Sequence, residues 1–82
     1  MNLTLNYHHL RYFLAVAEQE GIQKAAKALH VSPPTLSAQV AELERFLNAR
    51  LFAREKRRMH LTDTGRVVRR YAERIFSLGD EM

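Results

Sequence analysis

A mainly α-helical fold is expected, with three short core helices, a small two-stranded ribbon and a longer C-terminal helix. Three observations on the 82-residue sequence predict it. Apolar residues recur at helical spacing in separate segments. Ser32-Pro33 is a strong helix start between two of them. A short basic stretch interrupts the helical pattern before the last segment. The length allows one small domain. A chain of this size buries only about 60–65% of the surface its unfolded form exposes, which leaves little room for an enclosed catalytic cavity. With 46% hydrophobic and 27% charged residues, the composition is that of a globular chain rather than a disordered one. The absence of Cys excludes a disulfide scaffold and a thiolate metal site, and fits a reducing compartment. The first residues lack a basic n-region and a long apolar core, so neither a signal peptide nor a membrane span is expected.

Asn6 is a suitable N-cap for a first helix, in which Leu10, Phe13, Leu14 and Ala17 form one stripe. That helix should end near Glu18–Glu20, with Gly21 as the breaker. Residues 22–29 form a short Ala-rich helix whose small side chains allow close approach of a neighbour. His30-Val31 is a tight connection. Ser32 then caps a third helix with Pro33 at its first position, and Leu36, Val40, Leu43 and Leu47 make its buried stripe. Thr35, Ser37, Ala38, Gln39 and Glu42 face outward, and Asn48 is a fair left-handed cap. Leu51-Phe52 and Met59-His60-Leu61 can pair as an antiparallel ribbon. Thr62 or Asp63 starts a last helix, where Val68, Tyr71, Ile75, Leu78 and Met82 recur at heptad-type spacing. That pattern runs to the last residue and points to an intermolecular seam. The competing assignment is an ordinary amphipathic helix on its own core. The expected core is Leu10, Phe13, Leu14, Ala17, Ala26, Leu29, Leu36, Val40, Leu43, Leu47, Leu51, Phe52 and Leu61.

The net charge of +4 is not spread evenly. Residues 50–58 hold five basic side chains and one acid, and the other 73 residues balance. Such a run is either a solvated turn or an anion-facing element, most often for phosphate.

No catalytic or metal site is expected. His8 and His9 are adjacent and diverge by about 100° on a helix. No Asp or Glu stands at a useful metal spacing from His8, His9, His30 or His60. Gly21, Gly65 and Gly79 are too scattered for a phosphate loop. Ser32 and Ser37 have no nearby activating base, and no cofactor is expected. A short helix, a tight turn and a second helix with polar outward positions do make a helix-turn-helix. Hydroxyls at its start suit phosphates, and Gln39 can pair with an adenine edge. Ser32 and Thr35 also read simply as caps.

The segment Ala25–Val40, then Leu43-Glu44, Leu47, Leu51-Phe52, Arg54, Arg57-Arg58 and Leu61-Thr62-Asp63-Thr64-Gly65, resembles the N-terminal domain of LysR-type transcriptional regulators. The opening Asn6–Phe13, with Tyr71-Ala72 and Ile75–Leu78, further resembles the branch that regulates sodium/proton antiporter genes. The resemblance spans nearly the whole chain. It implies a winged helix-turn-helix over residues 1–62, followed by a linker and dimerisation helix over 63–82. The DNA-reading positions it implies are Ser32, Pro33, Pro34, Thr35, Ser37, Ala38 and Gln39. The wing basics it implies are Arg57 and Arg58, joined by Arg54 and Lys56 from the charge run. Three departures stand out. Ala38 occupies a position that is often Arg in the family, and alanine cannot make the direct guanine contact an Arg would make. Glu20-Gly21 replaces Gly-Ser, which removes a hydroxyl cap. Lys56 stands where the wing usually has Gly, which argues against a tight glycine turn and makes the tip more basic.

The expected partner is double-stranded DNA carrying an interrupted inverted repeat, bound by a homodimer in the bacterial cytoplasm. The ligand-sensing domain that follows in such regulators is not in these residues, which reads as a fragment. The rival readings are a helical protein-interaction module with a basic surface, and a winged helix of a different regulator class or one that binds RNA. Most of the seven Phe and Tyr residues fall on helical stripes rather than on an exposed stacking platform, which weighs against RNA.

Overall fold

The computed structural model describes residues 5–56 and 58–80. It runs α1 (Tyr7–Gln19), α2 (Ile22–Leu29), α3 (Pro33–Leu47), β1 (Phe52–Glu55), β2 (Arg58–Leu61) and α4 (Asp63–Asp80). The helix starts follow local chemistry. The side-chain oxygen of Asn6 accepts from the backbone N–H of His8 at 2.8 Å and of His9 at 3.2 Å. Ser32 Oγ accepts from the N–H of Thr35 at 3.2 Å, ahead of the prolines that open α3.

The first three helices end alike. Glu20, His30 and Asn48 adopt left-handed backbone with φ of 59°, 58° and 51°. The next residue's N–H then donates to the carbonyl five positions back: Gly21 to Val16 at 3.1 Å, Val31 to Ala26 at 3.0 Å and Ala49 to Glu44 at 3.1 Å. The sequence places the break of α1 at Gly21. The left-handed residue is instead Glu20, and Gly21 serves as the N-cap of α2.

The core wraps α1, which contacts α2, α3 and α4. Phe13 is fully buried and its ring centroid lies 5.3 Å from that of Phe52, which ties the ribbon to the helices. Ten of the thirteen expected core residues are buried, whereas Leu29, Leu47 and Leu61 are half-buried at its edge. Val16, Ala25 and Ala72 join it. A single stripe undercounts a helix flanked on more than one side, so it leaves out Val16. Ala25 and Ala72 are buried because their small side chains let helices approach closely.

The ribbon pairs Phe52 with Leu61, Ala53 with His60, Arg54 with Met59 and Glu55 with Arg58. Two residues therefore connect the strands. In keeping with the absence of a glycine there, Lys56 itself takes a left-handed φ of 51° after β1.

A junction locks α4 to the end of α3. Leu51 N–H donates to Glu44 Oε2 at 2.7 Å, and Thr62 N–H donates to Leu51 O at 3.0 Å. The Thr62 hydroxyl donates to Arg50 O at 2.6 Å and accepts from the N–H of Gly65 at 2.9 Å, so Thr62 caps α4. A Cβ on Gly65 would stand 2.1 Å from Leu51 O, so only glycine permits this approach. The Arg11 guanidinium lies 4.2 Å from the Phe76 ring centroid and ties α1 to α4 farther along.

The apolar face of α4 divides in two. Val68 and Ile75, expected at an intermolecular seam, are half-buried against the chain's own core beside Ala72 and Phe76. Tyr71 and Leu78 are 62% and 63% exposed, and Val67 is exposed beside them. A stripe with steps of three and four drifts around a 3.6-residue helix, so it supplies both an inward edge and an outward one. Met82 lies outside the described residues.

Candidate nucleic-acid interface

An open groove separates the start of α3 from the ribbon. Its walls include Pro33, Pro34 and Ser37 of α3, Arg54, Arg58, Met59 and His60 of the ribbon, Arg66 of α4, and Glu20 to Gln23 at the α1–α2 corner. The tertiary structure thus sets part of the neutral reading segment opposite part of the basic run. The helix-turn-helix geometry follows from two tight ends. His30 closes α2 in a left-handed conformation, and Ser32 opens α3 two residues later.

The expected residues divide by position. Ser32, Pro34, Thr35, Ser37 and Ala38 are exposed along the first turns of α3, while Pro33 and Gln39 are half-buried. Ser32 Oγ donates to Thr35 Oγ1 at 2.8 Å. The Ser32 hydroxyl proton is thereby spent inside the cap, whereas the Thr35 hydroxyl keeps its own proton for an outside acceptor. Arg54, Lys56 and Arg58 are exposed on the ribbon. Arg57 lies outside the described residues.

Four polar groove residues are not among the expected site residues: Glu20, Gln23, His60 and Arg66. Arg66 lies outside the basic run, on the first turn of α4. It pairs with Asp63 and donates from Nη1 to Leu61 O at 3.2 Å, which holds it toward the ribbon. The Asp63/Arg66 spacing on a helix start is the available signal. Among the described residues, no three His, Asp or Glu side chains gather as a metal site, and no helix is long and apolar enough to cross a membrane.

Residues 7–66 match the family model described as bacterial regulatory helix-turn-helix protein, LysR family. The chain belongs to the LysR family. It is 38% identical over 78 residues to the transcriptional activator protein NhaR of Escherichia coli, covering 95% of this chain and 26% of that protein. With YnfL of the same organism, an uncharacterized HTH-type transcriptional regulator, it shares 42% over 81 residues, covering 99% of this chain and 27% of YnfL. The chain therefore spans about a quarter of the length of these relatives, and identity does not set the antiporter-regulator branch apart. In structure it is similar to the DNA-binding domain of BenM crystallised with the catB site 1 DNA. The TM-score is 0.89 at 37% identity, covering 95% of this chain and 88% of that one. The fold is the winged helix-turn-helix of LysR regulators, with the ribbon as wing and α3 as the second helix of the motif.

Proposed function

We propose that this chain is the DNA-reading domain of a bacterial transcription regulator and binds double-stranded DNA sequence-specifically. The observation that carries this is the pairing, across one groove, of a hydroxyl-bearing helix start with the arginines of the wing. The likeness to a domain solved on DNA supports it. In this function α3 enters the major groove. Thr35, Ser37 and Gln39 meet base edges, while Ser32, Pro33, Pro34 and Ala38 shape the approach. Arg54, Lys56, Arg57 and Arg58 hold phosphates or the minor groove. No step of catalysis and no cofactor enters.

Residues 1–62 act as the reading unit and 63–82 as a linker helix that pairs two copies. The exposed edge formed by Tyr71, Leu78 and Val67 is the contact surface, with Val68 and Ile75 behind it, so the seam lies partly off the stripe expected from spacing. A homodimer would place two α3 helices in successive major grooves about 34–36 Å apart, on an interrupted inverted repeat.

The test is selection from random duplex DNA, followed by gel shift of the selected and unselected DNA at two salt concentrations. Enrichment of an inverted repeat with salt-sensitive binding is expected. A chain that binds no duplex at low salt is a protein-interaction module instead. For the pairing, Tyr71→Asp should shift sedimentation toward monomer. A wild-type chain that sediments as monomer both at high concentration and on the selected DNA would remove the dimer.

A further inference from the structure

We propose that Glu20 is an electrostatic brake, a fixed negative charge in the groove that weakens the chain's sequence-independent hold on the DNA backbone. This rests on the DNA-binding function proposed above and names a specificity-neutral regulator of that same surface.

Three observations converge on Glu20. Its side chain is exposed and lines the groove that also holds Arg54, Arg58, Arg66 and Ser37. Its backbone is left-handed with φ 59°, a conformation that glycine adopts at least cost, and the cap is made by its backbone N–H donating to Val16 O. The cap therefore does not draw on the Glu20 side chain. Among the described residues, the carboxylates of Glu18, Glu20 and Glu55 make neither a hydrogen bond nor an ion pair, and of these three only Glu20 lines the groove, whereas Glu42, Glu44, Asp63 and Glu73 each hold an arginine. Glu20 is thus the one acidic residue among those described that lines this groove, against three arginines, Arg54, Arg58 and Arg66.

The electrostatic consequence follows directly. A phosphate drawn toward Arg54 and Arg58 enters the groove that Glu20 also lines, where like charge opposes it with a strength that salt screens. That repulsion does not depend on which bases are present, so it lowers affinity for every duplex by a similar factor. A carboxylate that accepted a hydrogen bond from cytosine N4 would instead favour particular sequences. The effect is a weaker grip on random DNA, with discrimination left to α3.

The test compares the wild-type chain with Glu20→Gln, which keeps side-chain length and the cap while removing the charge. Binding is measured by fluorescence anisotropy on a random duplex and on the selected duplex, at about 0.05 M and about 0.3 M salt, across which the Debye length falls more than twofold. Glu18→Gln, on the exposed end of α1 and outside the groove, makes the same change in net charge. Glu20→Gln should tighten both duplexes by about two- to fivefold at the lower salt, with the gain shrinking toward unity at the higher. Glu18→Gln should change neither by more than a fraction of that. Unchanged binding in Glu20→Gln would overturn the brake, as would equal tightening by Glu18→Gln, which assigns the effect to net charge. Weaker binding of the selected duplex alone would also overturn it and make Glu20 a base reader. A wild-type chain that binds neither duplex would remove the DNA-binding function and the brake with it, which distinguishes that failure from the others.

Discussion

The junction around Leu51 and the groove beside α3 sit a few residues apart in sequence, yet they are built on opposite principles. At the junction, one stretch of backbone is held from several sides. Glu44 accepts from Leu51, Leu51 accepts from Thr62, Thr62 donates to Arg50, and Gly65 closes against the Leu51 carbonyl. At the groove, polar groups are exposed and few are consumed by the protein itself. Arg54 and Arg58 stand in solvent, and beside the groove on α3 Thr35 keeps a free hydroxyl proton. Satisfied hydrogen bonds fix position, and unsatisfied exposed donors are what a ligand can use. The chain places its reading groups by spending its polar satisfaction elsewhere.

The contrast breaks most visibly at Gly65. Gly65→Ala puts a carbon 2.1 Å from a backbone oxygen that no side-chain rotation can relieve. A loss of about 3 kcal/mol or more is expected, which should lower Tm by more than about 10 °C in calorimetry. A melting curve matching wild type would mean that the α4–Leu51 approach is not fixed. The next largest effect belongs to Glu44. Glu44→Ala leaves the half-buried N–H of Leu51 without its acceptor and should cost about 1–3 kcal/mol in denaturant unfolding. Glu44→Gln, which retains an acceptor oxygen, should recover most of it; equal losses would assign the role to charge rather than to the hydrogen bond.

At the groove, the same kind of truncation should spare stability and alter binding. Arg57→Ala combined with Arg58→Ala should flatten the log–log salt dependence by about one unit for each phosphate left without its arginine, with Tm nearly unchanged. An unaltered slope would take the wing off the contact surface. Thr35→Val should keep affinity for random duplex and reduce preference for the selected site by about tenfold, within the 1–3 kcal/mol typical of base contacts. Equal weakening of both duplexes would make Thr35 a cap alone. The smallest effect sharpens the comparison from the side of strain. His30→Gly relieves a left-handed non-glycine residue and should raise stability by about 0.5 kcal/mol, a Tm gain of a few degrees.

Most helix starts are legible in the sequence because capping is local: Asn6, Ser32 with its prolines, and Thr62 act on backbone groups two or three residues away. The basic run and the reading segment are legible as types of residue. Their meeting across a groove is not, nor is the addition of Arg66, His60 and Glu20 from separate elements. Periodicity also cannot divide α4. Val68 and Tyr71 both fall on the heptad-type stripe, but only the packing of α4 on α1 and the ribbon decides that Val68 turns inward while Tyr71 stays in solvent.

By itself, then, the sequence determined what depends on neighbours along the chain: most helix starts, the ribbon, the segregation of charge between residues 50 and 58, and membership of a family. The tertiary structure alone decided what depends on distance between remote segments. It brought Glu20 and the arginines to one groove, brought the α4 backbone against Leu51 so that Gly65 admits no side chain, and set a left-handed Lys56 at a turn that usually asks for glycine. Local backbone preferences act over three or four residues, whereas close approach and shared fields are properties of the packed whole.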